Sequence, residues 1–189
     1  MDLCSALVDL RAAGLVHRDV KPGNIYLNSQ GHFVLGDLGI AKIEELKYCS
    51  MPENMLSSYS APELFSLLGT IEPTTDIYSV GMILYRIYNG NHGPFEDEKT
   101  SARAADKLRV TGEQLPAPMY ADYEMADIVL KACAFKPEDR YQTPQELQEA
   151  LLEYGKRNEA SDALIVPPIQ GEPEPIDPNA EEEVEPVQF

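Results

Sequence analysis

One eight-residue stretch, His17-Arg18-Asp19-Val20-Lys21-Pro22-Gly23-Asn24, brings together a carboxylate, a cation and a neutral oxygen ligand. Pro22 and Gly23 bend the chain, so the stretch reads as a loop rather than a helix or strand. Such a loop can aim Asp19, Lys21 and Asn24 at one point. A base, a cation and a magnesium ligand that converge suit phosphoryl transfer, where catalysis is mostly positioning and charge neutralisation.

The flanking pattern supplies elements that could hold this loop. Leu3, Leu7 and Leu10 recur at helical spacing, which predicts a helix over 2–13 ended by Gly14. Two short strand-like runs follow Asn24: Ile25–Leu27 and His32–Leu35, with Asn28-Ser29-Gln30-Gly31 as the turn between them. The hairpin sets Asn24 at the entrance of one strand and Gly36-Asp37-Leu38-Gly39 at the exit of the other. Two oxygen ligands, Asn24 and Asp37, then flank one cleft. Further on, an apolar helix opens at Thr75-Asp76 and runs to about Tyr88. Residues 99–110 read as a basic, exposed helix, and 121–134 as a helix with Met125, Ile128, Val129 and Ala132 on one face. Thr143-Pro144-Gln145-Glu146 is a capping box with proline at the first helical position. The helix it starts is expected to run to about Tyr154 and to close at Gly155.

Composition bounds the function. The chain has 189 residues, enough for one domain with a substantial core, and a net charge of −17. That charge argues against nucleic acid and anionic membranes as main partners. It is unevenly spread: beyond Arg157 lie nine acidic residues, six prolines and no basic residue. Residues 157–189 therefore read as an acidic, Pro-rich disordered tail, in which Glu181-Glu182-Glu183 is a solvating run. Cys4, Cys49 and Cys133 form no CxxC motif, which points to reduced thiols and a cytoplasmic location rather than to zinc. There is no signal-peptide pattern, and no apolar run approaches the ~20 residues of a membrane helix.

The first stretch resembles the H-R-D-x-K-x-x-N catalytic loop of eukaryotic-like (Hanks-type) serine/threonine protein kinases. Other motifs of that family have counterparts in order. Asp37-Leu38-Gly39 resembles D-F-G with leucine for phenylalanine, and Ser60-Ala61-Pro62-Glu63 matches A-P-E. Asp76-Ile77-Tyr78-Ser79-Val80-Gly81 resembles D-x-W-S-x-G, and Pro137-Glu138-Asp139-Arg140 resembles P-x-x-R. The resemblance covers residues 1–156 and implies the large lobe of a kinase: an α+β fold, mainly α-helical, with a small β-hairpin at the catalytic cleft. It implies ATP and Mg²⁺ as cofactors and a protein hydroxyl as phosphoryl acceptor.

By the same resemblance Asp19 would be the catalytic base and Lys21 a contact to the transferring phosphoryl group. Asn24 and Asp37 would ligate Mg²⁺, and Tyr26 would form the floor under the nucleotide. His17 would pack in the core, and Arg18 would pair with a phosphorylated residue or a local carboxylate. Asp76 would accept hydrogen bonds from the His17–Arg18 backbone, and Glu63 would pair with buried Arg140. Residues 40–59 would be an activation segment, with Ser50, Ser57 and Ser58 as phosphosites. One departure is chemical: the family's Gly-Thr pair, whose Thr contacts the catalytic Asp and Lys, is replaced by Met55-Leu56, for which Ser57 or Ser58 would have to substitute. Only sixteen residues precede His17, so the small lobe with its Gly-rich loop is expected to be absent. ATP would then bind weakly, and the open inter-lobe face would seek a partner. The alternatives to a partial catalytic domain are a non-catalytic, pseudokinase-like interaction module and a truncated, inactive fragment.

Overall fold

Leucines three and four residues apart form the first element, α1 (Asp2–Ala12), which buries Cys4 and Leu7. Gly14 follows at φ +67°, a left-handed position that turns the chain out of the helix. The computed structural model describes residues 1–38, 42–43, 56–66, 70–97 and 99–158. Gly39, Cys49, Ser50, Met55 and the expected tail from residue 159 on lie outside the described residues.

After α1, β1 (Leu15–Val16) pairs antiparallel with β4 (Lys42–Ile43), a two-residue contact the sequence pattern did not reveal. The expected hairpin forms from β2 (Ile25–Leu27) and β3 (Phe33–Leu35), with Ile25 opposite Leu35. Asn28 builds its turn: the Oδ1 atom accepts the N–H groups of Gln30 and His32 at 3.0 and 2.9 Å. His32 is thereby part of the turn, and the strand starts one residue later than expected.

The centre of the molecule is α2 (Pro73–Ile87), buried along nearly its whole length. It begins two residues before the expected start because Pro73 is pre-set for the first helical position. Its neighbours are α1, α4 (Tyr123–Ala132) and α5 (Pro144–Asn158). The approach of α2 to α4 requires Gly81. A Cβ there would lie 2.7 Å from Cys133 Sγ and 2.8 Å from Ala132 Cβ. Leu7, Val20, Ile25, Ile77, Met82, Val129 and Leu147 share one core cluster. Val16, Leu64 and Ile71 form a second, smaller one against which Leu56 packs.

Two expectations are corrected. The helix α3 (Ala102–Val110) is basic, but it is not wholly exposed: Arg109 is buried. The last helix does not close at Gly155. It continues to Asn158, because Tyr154 donates its hydroxyl hydrogen bond to Asp122 Oδ2 at 2.8 Å and Arg157 pairs with Glu124, both fastening the final turn. Among the described residues no helix is long and apolar enough to cross a membrane.

Candidate active site

Asp76, in the first turn of α2, reaches 58 and 59 residues back along the chain to grip the loop. Its Oδ2 accepts the His17 N–H and its Oδ1 the Arg18 N–H, both at 2.7 Å. Burial raises the Asp76 carboxyl to about 6, against the opposing pull of the Arg18 and His17 N–H donors. Presenting two consecutive N–H groups to one carboxylate turns the backbone sharply, and Arg18 sits at φ +69°, a left-handed conformation uncommon for a side-chain-bearing residue. His17 is fully buried. Its Nδ1 faces the Asp19 N–H at 3.3 Å and its Nε2 the Gly36 carbonyl at 2.9 Å. Only the tautomer with hydrogen on Nε2 satisfies both. His17 thus ties the loop to the exit of β3, a structural place rather than that of a base.

Within the loop, Pro22–Asn24 forms a single 3-10 turn that folds Asn24 back onto Asp19. Asn24 Nδ2 donates to the Asp19 carbonyl at 2.8 Å and to Asp19 Oδ2 at 3.0 Å. Lys21 Nζ donates to the same Oδ2 at 2.7 Å. The other carboxylate oxygen, Asp19 Oδ1, is buried and has no hydrogen-bond partner among the described residues. An unpartnered buried acceptor is uncommon and costly, so its presence here calls for a functional reason.

With its amide nitrogen given to Asp19, Asn24 keeps Oδ1 as its ligand atom. The Gly36 N–H donates to the Asn24 carbonyl at 2.8 Å, which closes the hairpin and sets Asp37 beside Asn24 in the chain path. Asp37 also has positive φ, +58°. Two side-chain-bearing residues held left-handed in one small region are typical of sites whose geometry is imposed by their surroundings. Tyr26 packs its ring on Gly36: a Cβ there would lie 2.7 Å from Tyr26 Cε2. Tyr26 therefore also shapes the backbone entering Asp37. The oxygen donors of Asn24 and Asp37 fit a hard divalent cation such as Mg²⁺.

Below the loop, Glu63 and Arg140 form a bidentate pair, 2.8 Å at both ends. Arg140 spends its remaining donors on the carbonyls of Ala134, Thr74 and Phe135, and Thr75 donates its hydroxyl hydrogen to Glu63 Oε1. Ser57 Oγ shares a hydrogen bond with Ser60 Oγ (3.3 Å) and accepts the Tyr59 N–H (3.3 Å). Neither Ser57 nor Ser58 reaches the Asp19 carboxylate, so neither supplies the hydroxyl that Met55-Leu56 lacks. Ser57 holds a turn and is half-buried, as is Ser58.

Two arginines at the site escaped the sequence reading. Arg109 Nη1 donates to the Ser60 carbonyl at 2.6 Å and to the Tyr78 hydroxyl at 3.1 Å. Arg86 pairs with Glu96 at 2.8 Å and lies over the Tyr59 ring, 5.4 Å from its centre.

The loop thus holds a clamped carboxylate with a lysine on the same oxygen, and the hairpin carries Asn24 at its entrance and Asp37 past its exit. Residues 1–152 match the protein kinase domain family, and the chain belongs to it. It is similar to the serine/threonine-protein kinase Pkn1 of Myxococcus xanthus, 36% identical over an alignment of 162 residues that covers 79% of this chain and 22% of that protein. A probable serine/threonine-protein kinase of Corynebacterium efficiens is 34% identical over 172 residues, 85% of this chain and 25% of the relative. The serine/threonine-protein kinase PknB of Mycolicibacterium smegmatis is 32% identical over 157 residues, 80% of this chain and 25% of the relative. The chain thus spans about a quarter of the length of these curated relatives.

Proposed function

We propose that residues 1–156 are the lobe of a serine/threonine protein kinase that carries the catalytic loop, followed by a separate acidic tail, and that this lobe moves the γ-phosphoryl of ATP to a protein hydroxyl. One observation carries the reading: Asp19 has one oxygen committed to Lys21 and Asn24 and the other buried without a partner among the described residues. A substrate hydroxyl donating to Oδ1 satisfies that acceptor and is oriented for in-line attack. As the new oxygen–phosphorus bond forms and the bond to the ADP oxygen breaks, Oδ1 takes the hydroxyl proton. Lys21, held at 2.7 Å from Oδ2, sets a positive charge beside the transferring group. Asn24 Oδ1 and the Asp37 carboxylate would hold Mg²⁺, which when bound neutralises phosphate charge. Tyr26 would face the nucleotide. The buried free thiols of Cys4 and Cys133 are in keeping with a reducing, cytoplasmic setting.

A second reading has its own support. Leu56 packs with Val16, Leu64 and Ile71, and Ser57 is spent on its own turn. The position from which a hydroxyl would steady Asp19 and Lys21 is thereby apolar, which favours a non-catalytic interaction module. Phosphate transfer from radiolabelled Mg-ATP to a generic protein substrate separates the two. A catalytic lobe gives a signal that Asp19→Asn lowers by at least about 100-fold. Equal signals from both proteins sink the catalytic reading and leave the interaction module.

A further inference from the structure

The segment joining α3 to α4 and the first residue of α4 carry three side chains that folding leaves in water: Met119 at 74% exposure, Tyr120 at 69% and Tyr123 at 84%. Exposed apolar residues are ordinary when the backbone beneath them is free to vary. Here the backbone is pinned. The Met119 N–H donates to Asn89 Oδ1 at 2.9 Å and the Tyr120 N–H to the Tyr88 carbonyl at 2.8 Å. Asp122 caps α4 through the Met125 N–H at 2.8 Å. A fixed platform of two tyrosines and a methionine resembles a binding surface more than a loose loop.

The chain itself delivers a ligand to that platform. The end of α5 is fastened to the start of α4, by Tyr154 to the N-cap Asp122 and by Arg157 to Glu124. Asn158, the end of α5, therefore lies by the start of α4, and 31 residues follow it in the sequence. Within them, Ala163-Leu164-Ile165-Val166-Pro167-Pro168-Ile169-Gln170 is uncharged, between Asp162 and Glu172 in an otherwise acidic stretch. Six residues separate Arg157 from Leu164, a reach of up to about 20 Å at ~3.3 Å per residue. A Pro-Pro pair flanked by aliphatic residues favours the extended polyproline conformation, which has little entropy to lose and docks on tyrosine-lined surfaces. A linker this short holds the segment near the platform at roughly millimolar effective concentration.

We propose that Leu164–Ile169 docks in cis on the platform of Met119, Tyr120 and Tyr123, fixing the start of the acidic tail against the α3–α4 connection. The proposal is independent of whether the lobe transfers phosphate. Hydrogen exchange on the full 189-residue chain tests it. The amides of 163–166 and 169–170 should exchange about tenfold more slowly than an unstructured peptide. That protection should survive dilution and vanish in Tyr120→Ser/Tyr123→Ser while the α2 amides stay protected. Nitration of Tyr120 and Tyr123 by tetranitromethane supplies a second reading in a variant that leaves the folded domain untouched. Both tyrosines should react faster in Leu164→Asp/Ile165→Asp than in the wild type. Unprotected amides at 163–170, or equal nitration rates, overturn the proposal. So does protection that fades on dilution, which would make a second copy of the chain the occupant.

Discussion

Arg140 and Arg109 hold the two ends of the same four-residue stretch, Ser60 to Glu63, and they do so by different physics. Arg140 grips the far end through the Glu63 carboxylate, and all five of its N–H donors meet acceptors. Its charge is fully buried and fully neutralised. Arg109 grips the near end through the neutral Ser60 carbonyl, and its countercharge, Asp106, stands one-third exposed at the rim. Both guanidiniums lie by the Tyr78 ring, 4.8 Å and 5.7 Å from its centre. The pair teaches that a buried cation can be held either by one matched anion or by a set of dipoles with a solvated anion behind them. The first is rigid and sensitive to loss of its partner. The second tolerates change, because water shares the work.

The comparison breaks most readily at Glu63. Glu63→Gln leaves Arg140 buried with its charge uncompensated, and urea denaturation should show a loss of about 3–5 kcal/mol. A loss near that of an ordinary surface substitution would erase the distinction between the two arginines. Arg109→Met should come next, at about 2 kcal/mol, since it removes hydrogen bonds to Ser60 and Tyr78 but keeps the apolar stem. Proteolytic nicking within 57–66 should rise with it. Tyr78→Phe probes the ring shared by both, at about 1 kcal/mol near neutral pH through the lost bond from Arg109.

Tyr78 also adds a pH signature. Burial pushes its hydroxyl up to about 12, with Arg109 pulling the other way. The unfolded chain releases this proton near 10 and the folded chain only near 12. The tyrosine's contribution is therefore fully present below pH 10 and is lost as the pH rises from about 10 to about 12. The stability gap between wild type and Tyr78→Phe should narrow across that window, as followed by circular dichroism. The smallest effect belongs to Asp106→Asn, under about 1 kcal/mol and shrinking further in high salt. A salt-independent loss would mean that Asp106 acts as a buried partner after all.

The same two arginines show how far the sequence could be read. Arg140 was legible because its spacing from Pro137 and its link to Glu63 repeat a motif, and motifs carry tertiary pairing within a local signature. The Asp76 grip on His17 and Arg18 was legible for the same reason. Arg109 carried no such signature. It lies in a helix whose face reads Arg103, Asp106 and Lys107, and polarity alone assigns such a helix to solvent. Its burial depends on the Ser60 carbonyl arriving from 49 residues away, which no local pattern encodes. The two-residue pairing of β1 with β4 was hidden likewise, being too short for any periodicity. The overrun of α5 past Gly155 follows from Tyr154 and Arg157 finding partners at the start of α4, its N-cap Asp122 and Glu124. Tertiary contacts there outweigh the ~1 kcal/mol helix penalty of one glycine.

The left-handed turn at Arg18 has a bearing on the order in which the molecule assembles. A side-chain-bearing residue at φ +69° is disfavoured by about 1–3 kcal/mol in isolation. What holds it there, Asp76, lies 58 residues later and is placed only when α2 has packed into the core. The loop is therefore expected to be completed after the helices dock. Conditions that loosen α2 should undo the loop first, while most of the helical content persists.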